Sequence, residues 1–527
     1  MEIGVSVVSL ADICIRSIQH SPTSLTTANN LRYGTLLVKT CKSYRNAEPE
    51  IAESILLVET RWLKIQRQLE LLRNIWPSLD DEYQIHQNSV LQVLQGKAQA
   101  AISLIDSIIG KSDSEPSVRS VMSKKGEARR LKYAVWVKHS LASVMDDLKE
   151  WSEVFDVSWY LIIRLSSQAI DRELEPVQTG DAGPLSTLKD LRAAIHHHID
   201  LRDSEKASVF VPAAFFDEES DEIKTPLFRS TAEIWKSKVD GIGYLVEQPS
   251  TISTLPDVCN LAKILQKVRS LEFGVLPCKG VLKSASGNRF VFSLPPNHSN
   301  PENLRSLLLT HLPSSPLDEK FSLAKQLAKA VMFVHSAGFV HKNIRPETIF
   351  LLRDKDSQVP LTFLTGFERF RLAEGKTQHQ GDDLWDTNLY RHPARQGVQP
   401  EEDYTLQHDI YSLGVCLLEI GLSSSLVLWK AGEANSGPNP EIFATDIPTS
   451  KDKRKNAFNV KRALVRIAQE KLPSRMGRKY SDITVVCLTC LDKTDNVFGD
   501  ENEFLDENGI LVGVRFIEKV STGLVYT

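Results

Sequence analysis

Two groups of residues carry side chains that could bind a metal ion. The first is the run His196, His197 and His198, and the second is the pair Cys487 and Cys490. Consecutive positions of a helix diverge by about 100° each, so the three histidines cannot converge on one ion. A single Cys-x-x-Cys pair with no second pair indicates packing within a helix rather than zinc or redox chemistry. The sequence therefore predicts no metal site.

Residues 327–352 have the pattern of a helix, a polar turn and a strand. The helix is expected to end near Gly338, and an apolar strand is expected over 349–352. The turn between them reads HKNIRPET and contains His341, Asn343 and Thr348. This arrangement brings an imidazole, an amide and a hydroxyl into one short loop, so it is the strongest candidate for a reaction centre.

The loop resembles the catalytic loop of the protein kinase fold, whose pattern is H-R-D-L-x-x-x-N. His341, Asn343 and Thr348 lie at the positions of the kinase histidine, aspartate and asparagine. Three further segments follow in the kinase order: Gly366-Phe-Glu at the D-F-G position, Tyr390-Arg-His-Pro at the A-P-E position, and 409–420 as the central buried helix. The resemblance covers roughly residues 240–495 and implies a small strand-rich lobe and a larger helical lobe.

The resemblance lacks several groups that kinase chemistry requires. Kinases use a catalytic Asp, Mg²⁺ held by an Asp and an Asn, and a Lys–Glu pair at the phosphates. Here Asn343 is a neutral amide, Thr348 replaces the asparagine, and Gly366 has no side-chain oxygen. The small lobe has no G-x-G-x-x-G loop, and its expected helix over 260–271 contains no acidic residue. We therefore predict a catalytically dead domain, a pseudokinase that is not an enzyme and binds ATP at most weakly and without metal.

Three residues of the kinase-like segments are expected to serve structure. His341 lies at a packing position at the start of the loop. Asp409 and Gly414 lie on the expected central helix and would hold the fold together.

The first 165 residues are expected to form an antiparallel helical bundle. Apolar residues recur at spacings of three and four in three long stretches. These apolar stripes run from Val58 to Trp76, from Val90 to Ile108 and from Ala134 to Phe155.

The N-terminus resembles the HeLo and HeLo-like domains of fungal incompatibility proteins. The resemblance rests on a short apolar helix, a Ser/Thr-rich loop and the phrase LRYGTL at 31–36. The mixed lineage kinase domain-like pseudokinases have the same order of domains. What this implies is a cell-death effector whose bundle disrupts membranes when released. The implied membrane-active helix contains the following residues: Ile3, Val7, Leu10, Asp12 and Cys14.

The implied partners are an upstream receptor or other protein, membrane lipids on activation, and further copies of the chain in a homo-oligomer. A cytoplasmic location with recruitment to the plasma membrane would fit that role. Residues 3–18 are shorter than the about 20 residues that a spanning helix needs. The formal charge is −4, from 63 Lys and Arg against 67 Asp and Glu, and provides no overall basic field for nucleic acid.

The expected fold class is multidomain, with an all-α bundle followed by an α+β two-lobed kinase-like fold. The expected segments are a bundle at 1–165, a linker with an acidic run at 166–225, a degenerate small lobe at 226–300, and a large lobe with its extension at 301–527. Two alternatives to the effector role remain open. One is a protein–protein interaction scaffold with no membrane activity, and the other is a divergent active protein kinase.

Overall fold

A computed structural model describes most of the chain. It covers residues 22–42, 49–109, 142–149, 151–152, 155, 159–165, 167–177, 184–196, 209–217, 224–248, 254–268, 271–284, 287–296, 298–310, 312–354, 359–372, 382–400, 403–429, 436–443, 452–492 and 516–525. The chain divides into two compact units. One is formed by Met1–Ser158 and Ser167–Pro176, and the other by Trp159–Ser166 and Val177–Thr527.

The first unit is built from helices. Its elements are α1 (Pro22–Lys42), α2 (Pro49–Ile75), α3 (Asp81–Ile109) and α4 (Gln168–Leu174), with further helical residues at 142–149. Helix α1 packs against α2 and α3. Gly34 permits the first of these contacts, because a Cβ at this position would lie 1.9 Å from the Trp62 ring. The predicted stripes beginning at Val58 and Val90 lie on α2 and α3, and most of their residues are buried.

The third predicted stripe is described only in part, since Ala134 lies outside the described residues. Its later members, including Trp151 and Phe155, are buried and stack with ring centroids 4.5 Å apart. The Trp151 indole donates a hydrogen bond to the Val90 carbonyl at 2.9 Å. This bond joins the stripe to α3 and satisfies a polar group that burial would otherwise leave unpaired.

The second unit begins with an antiparallel five-stranded sheet in the order β1-β2-β3-β5-β4. The strands are β1 (Lys224–Pro226), β2 (Glu233–Lys236), β3 (Gly243–Val246), β4 (Cys278–Ser284) and β5 (Gly287–Ser293). Helix α5 (Pro184–His196) precedes the sheet, and helix α6 (Leu255–Gln266) lies between β3 and β4 in the chain. Aromatic and branched side chains fill one core of this sheet, including Phe215, Trp235 and Tyr244.

Helix α6 corrects the predicted helix at 260–271. It starts five residues earlier, because Thr254 caps it by accepting a hydrogen bond from the Asp257 backbone and Pro256 lies in its first turn. It ends at Gln266, before a short 3-10 turn at Leu271–Phe273. The helix therefore contains an acidic residue, Asp257, which the predicted boundaries had left out.

The rest of the second unit is mostly helical. Its main helices are α7 (Leu304–Thr310), α8 (Leu317–Ser336), α9 (Trp385–Asn388), α10 (Leu406–Leu422), α11 (Pro440–Phe443), α12 (Lys453–Met476), α13 (Arg478–Thr489) and α14 (Thr522–Val525). Helix α10 is buried along nearly its whole length and packs against α8, α12 and α13. Gly414 allows the close approach of α13, because a Cβ there would lie 2.7 Å from the Cys487 Cβ.

Short strands surround the loop that was identified from the sequence. A three-stranded antiparallel sheet contains β6 (His298–Asn303), β8 (Ile349–Asp354) and β9 (Leu361–Leu364). Strand β7 (Phe339–Val340) pairs with β10 (Arg371–Leu372), and β11 (Val427–Trp429) pairs with β12 (Ser436–Pro438). The predicted strand at 349–352 is thus part of β8.

Residues 159–164 are helical and belong to the second unit. Arg192 on α5 is buried and donates hydrogen bonds to the carbonyls of Ile162 and Leu165, the latter at 2.7 Å. Tyr160 packs against Phe273 and Phe333. Near the boundary that was expected at residue 165, residues 159–166 thus belong to the second unit and residues 167–176 to the first.

In the described part of the chain, no helix combines the length and apolar character needed to cross a bilayer. The expected membrane-active residues Ile3, Val7, Leu10, Asp12 and Cys14 lie outside the described residues.

Candidate functional site

The backbone of the loop at 341–348 is held by one carboxylate from α10. Asp409 is fully buried, and its two oxygens accept hydrogen bonds from the His341 backbone N–H at 2.7 Å and the Lys342 backbone N–H at 2.9 Å. Lys342 adopts a left-handed conformation with φ of 67°. Charge-assisted bonds of this kind are about twice as strong as neutral ones, so Asp409 can hold a backbone turn that is otherwise unfavourable.

Asp409 remains ionised despite its burial. Burial raises its pKa, but the hydrogen bonds from the His335 side chain and the His341 backbone help to outweigh this, and the pKa lies below its ordinary value. The His335 imidazole lies 3.2 Å from one carboxylate oxygen, and the Tyr404 hydroxyl donates to the other at 2.9 Å. The carboxylate is therefore saturated with partners and acts as a structural anchor.

His341 is buried beneath the loop. Burial lowers the pKa of its imidazole to about 4, so the ring is neutral at pH 7. Its Nδ1 accepts a hydrogen bond from the Asn343 backbone, and its ring lies 4.9 Å from that of Phe367. These contacts suit a packing role.

Asn343 points toward an acidic side chain. Its Nδ2 donates to the Glu368 carboxylate at 2.8 Å and to the Gly366 carbonyl at 3.3 Å. Glu368 lies on a 3-10 turn, Phe367–Arg369, two residues after the glycine at the D-F-G position. The amide at position 343 thus fixes the orientation of a carboxylate that comes from another segment.

A second carboxyl group approaches from the five-stranded sheet. Glu247 directly follows β3 and is 1% exposed. Its two oxygens accept hydrogen bonds from the backbone N–H groups of Gly366 at 2.6 Å and Phe367 at 2.8 Å. Glu247 therefore binds the backbone at the start of the turn that contains Glu368.

The two carboxyl groups perturb each other. Burial, and then the charge of Glu368, raise the pKa of Glu247 to about 8 against the lowering effect of the two backbone bonds. Burial also raises the pKa of Glu368. Sequence reasoning missed both residues. The available signals were an acidic residue at the end of the apolar strand at 244–246, and another one immediately beyond Gly366-Phe367.

The predicted metal positions of the kinase pattern do not fit Mg²⁺. The Thr348 hydroxyl lies 2.6 Å from the Asn343 carbonyl and 3.0 Å from the Arg345 carbonyl, so its proton is used within the loop. Gly366 has no side-chain oxygen, and a Cβ at that position would lie 2.4 Å from the Thr348 side chain. Among the residues that the structure describes, no group of three or more His, Cys, Asp or Glu side chains could hold a metal ion.

A buried ionic network connects the same loop to α7 and α10. The Arg305 guanidinium bonds Glu347 and Glu419, each at 2.9 Å, and the Tyr390 hydroxyl. Arg305 is 0% exposed, and two carboxylates neutralise its charge. Tyr390 was identified in the segment at the A-P-E position, so this network links that segment to the loop.

The structure describes only part of the two groups that residue type suggested as metal ligands. His196 ends α5, while His197 and His198 lie outside the described residues. The Cys490 thiol lies 3.2 Å from the Gln407 carbonyl, and burial raises its pKa to about 12. Burial also raises the pKa of Cys487 well above its usual range. Protonated thiols packed against α10 are poor metal ligands.

The sequence and the loop geometry lead to the protein kinases as the class to which this region is similar. No family model matches the chain. The eIF-2-alpha kinase GCN2 of Schizosaccharomyces pombe is 28% identical over 179 residues, which cover 30% of this chain and 10% of that protein. A Raf homolog serine/threonine-protein kinase of Caenorhabditis elegans is 28% identical over 142 residues, covering 24% of this chain and 17% of that protein. The chain thus spans a small part of these relatives and contains a protein-kinase-like region.

These similarities correct one prediction. The sequence led us to expect a catalytically dead domain that is not an enzyme, and this prediction is wrong, because both relatives are protein kinases. The expectation depended on the lost aspartates. It took no account of Glu247 and Glu368. The fold brings both glutamates to the turn at Gly366, where a kinase has the aspartate of its D-F-G motif.

Proposed function

We propose that the second unit is a divergent protein kinase in which Glu368 does the work of the missing catalytic-loop carboxylate. The observation that carries the proposal is the 2.8 Å hydrogen bond from Asn343 to Glu368 in a loop held by Asp409. The order of elements also supports a two-lobed kinase fold. An antiparallel sheet with one helix between β3 and β4 precedes a helical half with a buried central helix.

In this proposal the chain's own residues position and deprotonate the acceptor. Glu368 accepts the proton of the substrate hydroxyl as the hydroxyl oxygen bonds to the terminal phosphorus of ATP, while the bond from that phosphorus to the bridging oxygen breaks and ADP leaves with the electron pair. A raised pKa favours this step, because a base whose pKa approaches the working pH accepts protons most effectively. Asn343 orients the carboxylate, and Glu247 anchors the turn through the backbone N–H groups of Gly366 and Phe367. No step is assigned to a metal ion, since the predicted positions do not fit one.

Transfer of radiolabelled phosphate from ATP to the chain itself and to a generic acceptor protein tests the proposal. Wild type should transfer phosphate, and Glu368→Gln should lower the rate by about 10²–10⁴-fold, as expected for loss of a general base. Glu441→Gln is the matched control, because Glu441 is exposed on α11 and remote in sequence from the loop. No transfer by wild type, or equal transfer by wild type and Glu368→Gln, would contradict the proposal.

We also propose that the region binds ATP weakly and that Mg²⁺ affects its affinity little. Support comes from Thr348 and Gly366, which supply no metal ligand. A thermal-shift titration with ATP, with and without Mg²⁺, should give affinities within about tenfold, or about 1.4 kcal/mol. A larger increase with Mg²⁺ would reveal a metal site that involves the two glutamates.

For the first unit we infer a membrane-acting role from its resemblance to HeLo domains. Its helical architecture supports the inference, while the kinase relatives offer it no support. Liposome leakage tests it. Residues 1–200 should permeabilise anionic vesicles more than the full chain does, and deletion of residues 2–18 should abolish the leakage. If the first unit is instead an interaction scaffold with protein partners, neither residues 1–200 nor the full chain should cause leakage.

A further inference from the structure

A basic groove runs along α12, on a part of the second unit that the proposed catalysis does not use. It has a volume of about 710 Å³ and is lined by residues of α12 and by the end of α13. Five of its lining residues are basic: Arg454, Lys455, Lys461, Arg462 and Arg466. They recur at helical spacing, so they form one face of α12.

Most of this positive charge faces solvent. Lys461 is buried, and its ammonium forms an ion pair with Asp492. The other four basic residues are exposed. The remaining acidic residue of the groove, Asp452, is the N-cap of α12 and accepts backbone hydrogen bonds from Arg454 and Lys455. Apart from the Lys461–Asp492 ion pair, the groove therefore contains four exposed basic side chains and one carboxylate, that of Asp452.

Two apolar side chains lie among the basic ones. Phe458 and Val465 are half-buried and line the same groove. From Lys455 to Arg466 the helix rises about 16 Å, which matches about five residues of extended peptide. The groove therefore offers cations with apolar patches between them over the length of a short peptide.

We propose that this groove binds an acidic peptide segment of a partner protein, with carboxylates at Lys455, Arg462 and Arg466 and an apolar side chain against Phe458 and Val465. Complementary charge favours such a ligand. Nucleic acid is disfavoured, because the positive track is short and the whole chain has a formal charge of −4. The proposal concerns binding and does not depend on phosphoryl transfer.

Fluorescence anisotropy with the full chain tests the proposal. The probe is a labelled peptide, Glu-Glu-Leu-Glu-Glu-Leu-Glu, and its Gln-for-Glu analogue is the control ligand. The acidic peptide should bind and the analogue should not. Binding should weaken as the ionic strength rises from about 0.05 to about 0.3 M, because exposed charges are screened over that range.

Variants assign the binding to the groove. Arg462→Glu/Arg466→Glu should weaken binding at least about tenfold, and Arg462→Gln/Arg466→Gln should weaken it less. The matched control is Arg478→Glu/Lys519→Glu, which changes the net charge equally at exposed positions outside the groove and should bind within about twofold of wild type. Equal thermal stability of the variants would show that folding is retained, and the Gln pair serves as the test if the Glu pair unfolds.

Three results would overturn the proposal. The first is that wild type fails to bind the acidic peptide or that the groove variants bind it as wild type does. The second is tighter binding of a single-stranded oligonucleotide of equal charge. The third is peptide binding that appears only after the acidic residues at 500–507 are replaced by Ser, which would assign the groove to the chain's own segment.

Discussion

Glu368 is the side chain on which the proposed chemistry depends, and its carboxylate accepts a hydrogen bond from the Asn343 amide at 2.8 Å. The amide donates to the carboxylate, whereas an aspartate at the same position would place two like charges side by side. Asn343, which replaces the usual catalytic aspartate, is therefore the residue whose neutral amide can stand next to the Glu368 carboxylate without charge repulsion.

Asn343→Asp should destabilise the protein instead of restoring an ordinary kinase site. The substitution removes the amide that donates to Glu368 and puts a second carboxylate next to it. At pH 8 this should lower the unfolding free energy by about 1–3 kcal/mol. The loss should be smaller at pH 5, where one of the two carboxyl groups can be protonated. Urea denaturation at the two pH values measures the effect. In the Glu368→Gln background the cost should shrink, and an unchanged cost there would refute the direct contact.

Glu247 should make the stability depend on pH. Its pKa is raised from 4.5 to about 8 in the folded state, so folding retains a proton that the unfolded chain has lost. This contribution is fully present below about pH 4.5 and is lost as the pH rises through about 8. The unfolding free energy of wild type should therefore fall between pH 5 and pH 9. Glu247→Gln should flatten this slope, and Glu441→Gln should not.

At the scale of elements, helix α10 positions the loop because Asp409 bonds its backbone directly. Asp409→Asn places an NH₂ group opposite one of the two backbone N–H groups that the carboxylate now accepts from. It also removes the negative charge that strengthens the four hydrogen bonds to this side chain. The expected cost is about 2–4 kcal/mol of unfolding free energy. Asp482→Asn is the matched control, since Asp482 is exposed on α13. Equal stability of the two variants would show that Asp409 does not anchor the loop.

The turn after β9 requires glycine at position 366. Its φ is 88°, and an added Cβ would meet the Thr348 Cγ2 at 2.4 Å. Gly366→Ala should therefore cost about 2–4 kcal/mol, from left-handed strain and overpacking together.

Thr348→Ser removes the methyl group that this Cβ would meet, so it supplies a test of the clash. The double variant Gly366→Ala/Thr348→Ser should recover part of the loss in thermal denaturation. A double variant with the summed cost of the single variants would rule out the contact with the Thr348 methyl group as a cause.

At the scale of the whole molecule, the two compact units should unfold in separate calorimetric transitions. Trp151→Phe removes the indole bond to Val90 and should lower only the transition of the first unit. Arg192→Met leaves the Ile162 and Leu165 carbonyls without their buried donor and should lower only that of the second. A single transition that both substitutions move equally would show that the units unfold together.

Charge is distributed unevenly over the second unit. The chain as a whole is slightly acidic, yet the exposed face of α12 is basic, while the carboxyl groups of the proposed centre are largely withdrawn from solvent. A basic helix face in an acidic chain offers a local attraction for acidic peptides without an attraction for polyanions in general.

The sequence by itself determined several local elements and the presence of a kinase-like region in the second unit. The stripes beginning at Val58 and Val90 identify α2 and α3, and the loop from His341 to Thr348 identifies the kinase-like region, because periodicity and loop spacing are local properties of the chain. The start of α6 was misplaced, since the periodic pattern does not include its cap at Thr254.

Only the tertiary structure decided which side chains meet. Glu247 bonds the backbone of Gly366 across 119 residues of sequence, and Glu368 reaches Asn343 from a segment 25 residues away. No short-range pattern encodes these contacts, because they exist only once the sheet and the helical half have packed around the loop. For this reason the sequence showed the absence of the usual aspartates, while the carboxyl groups that gather near their positions became visible only in the fold.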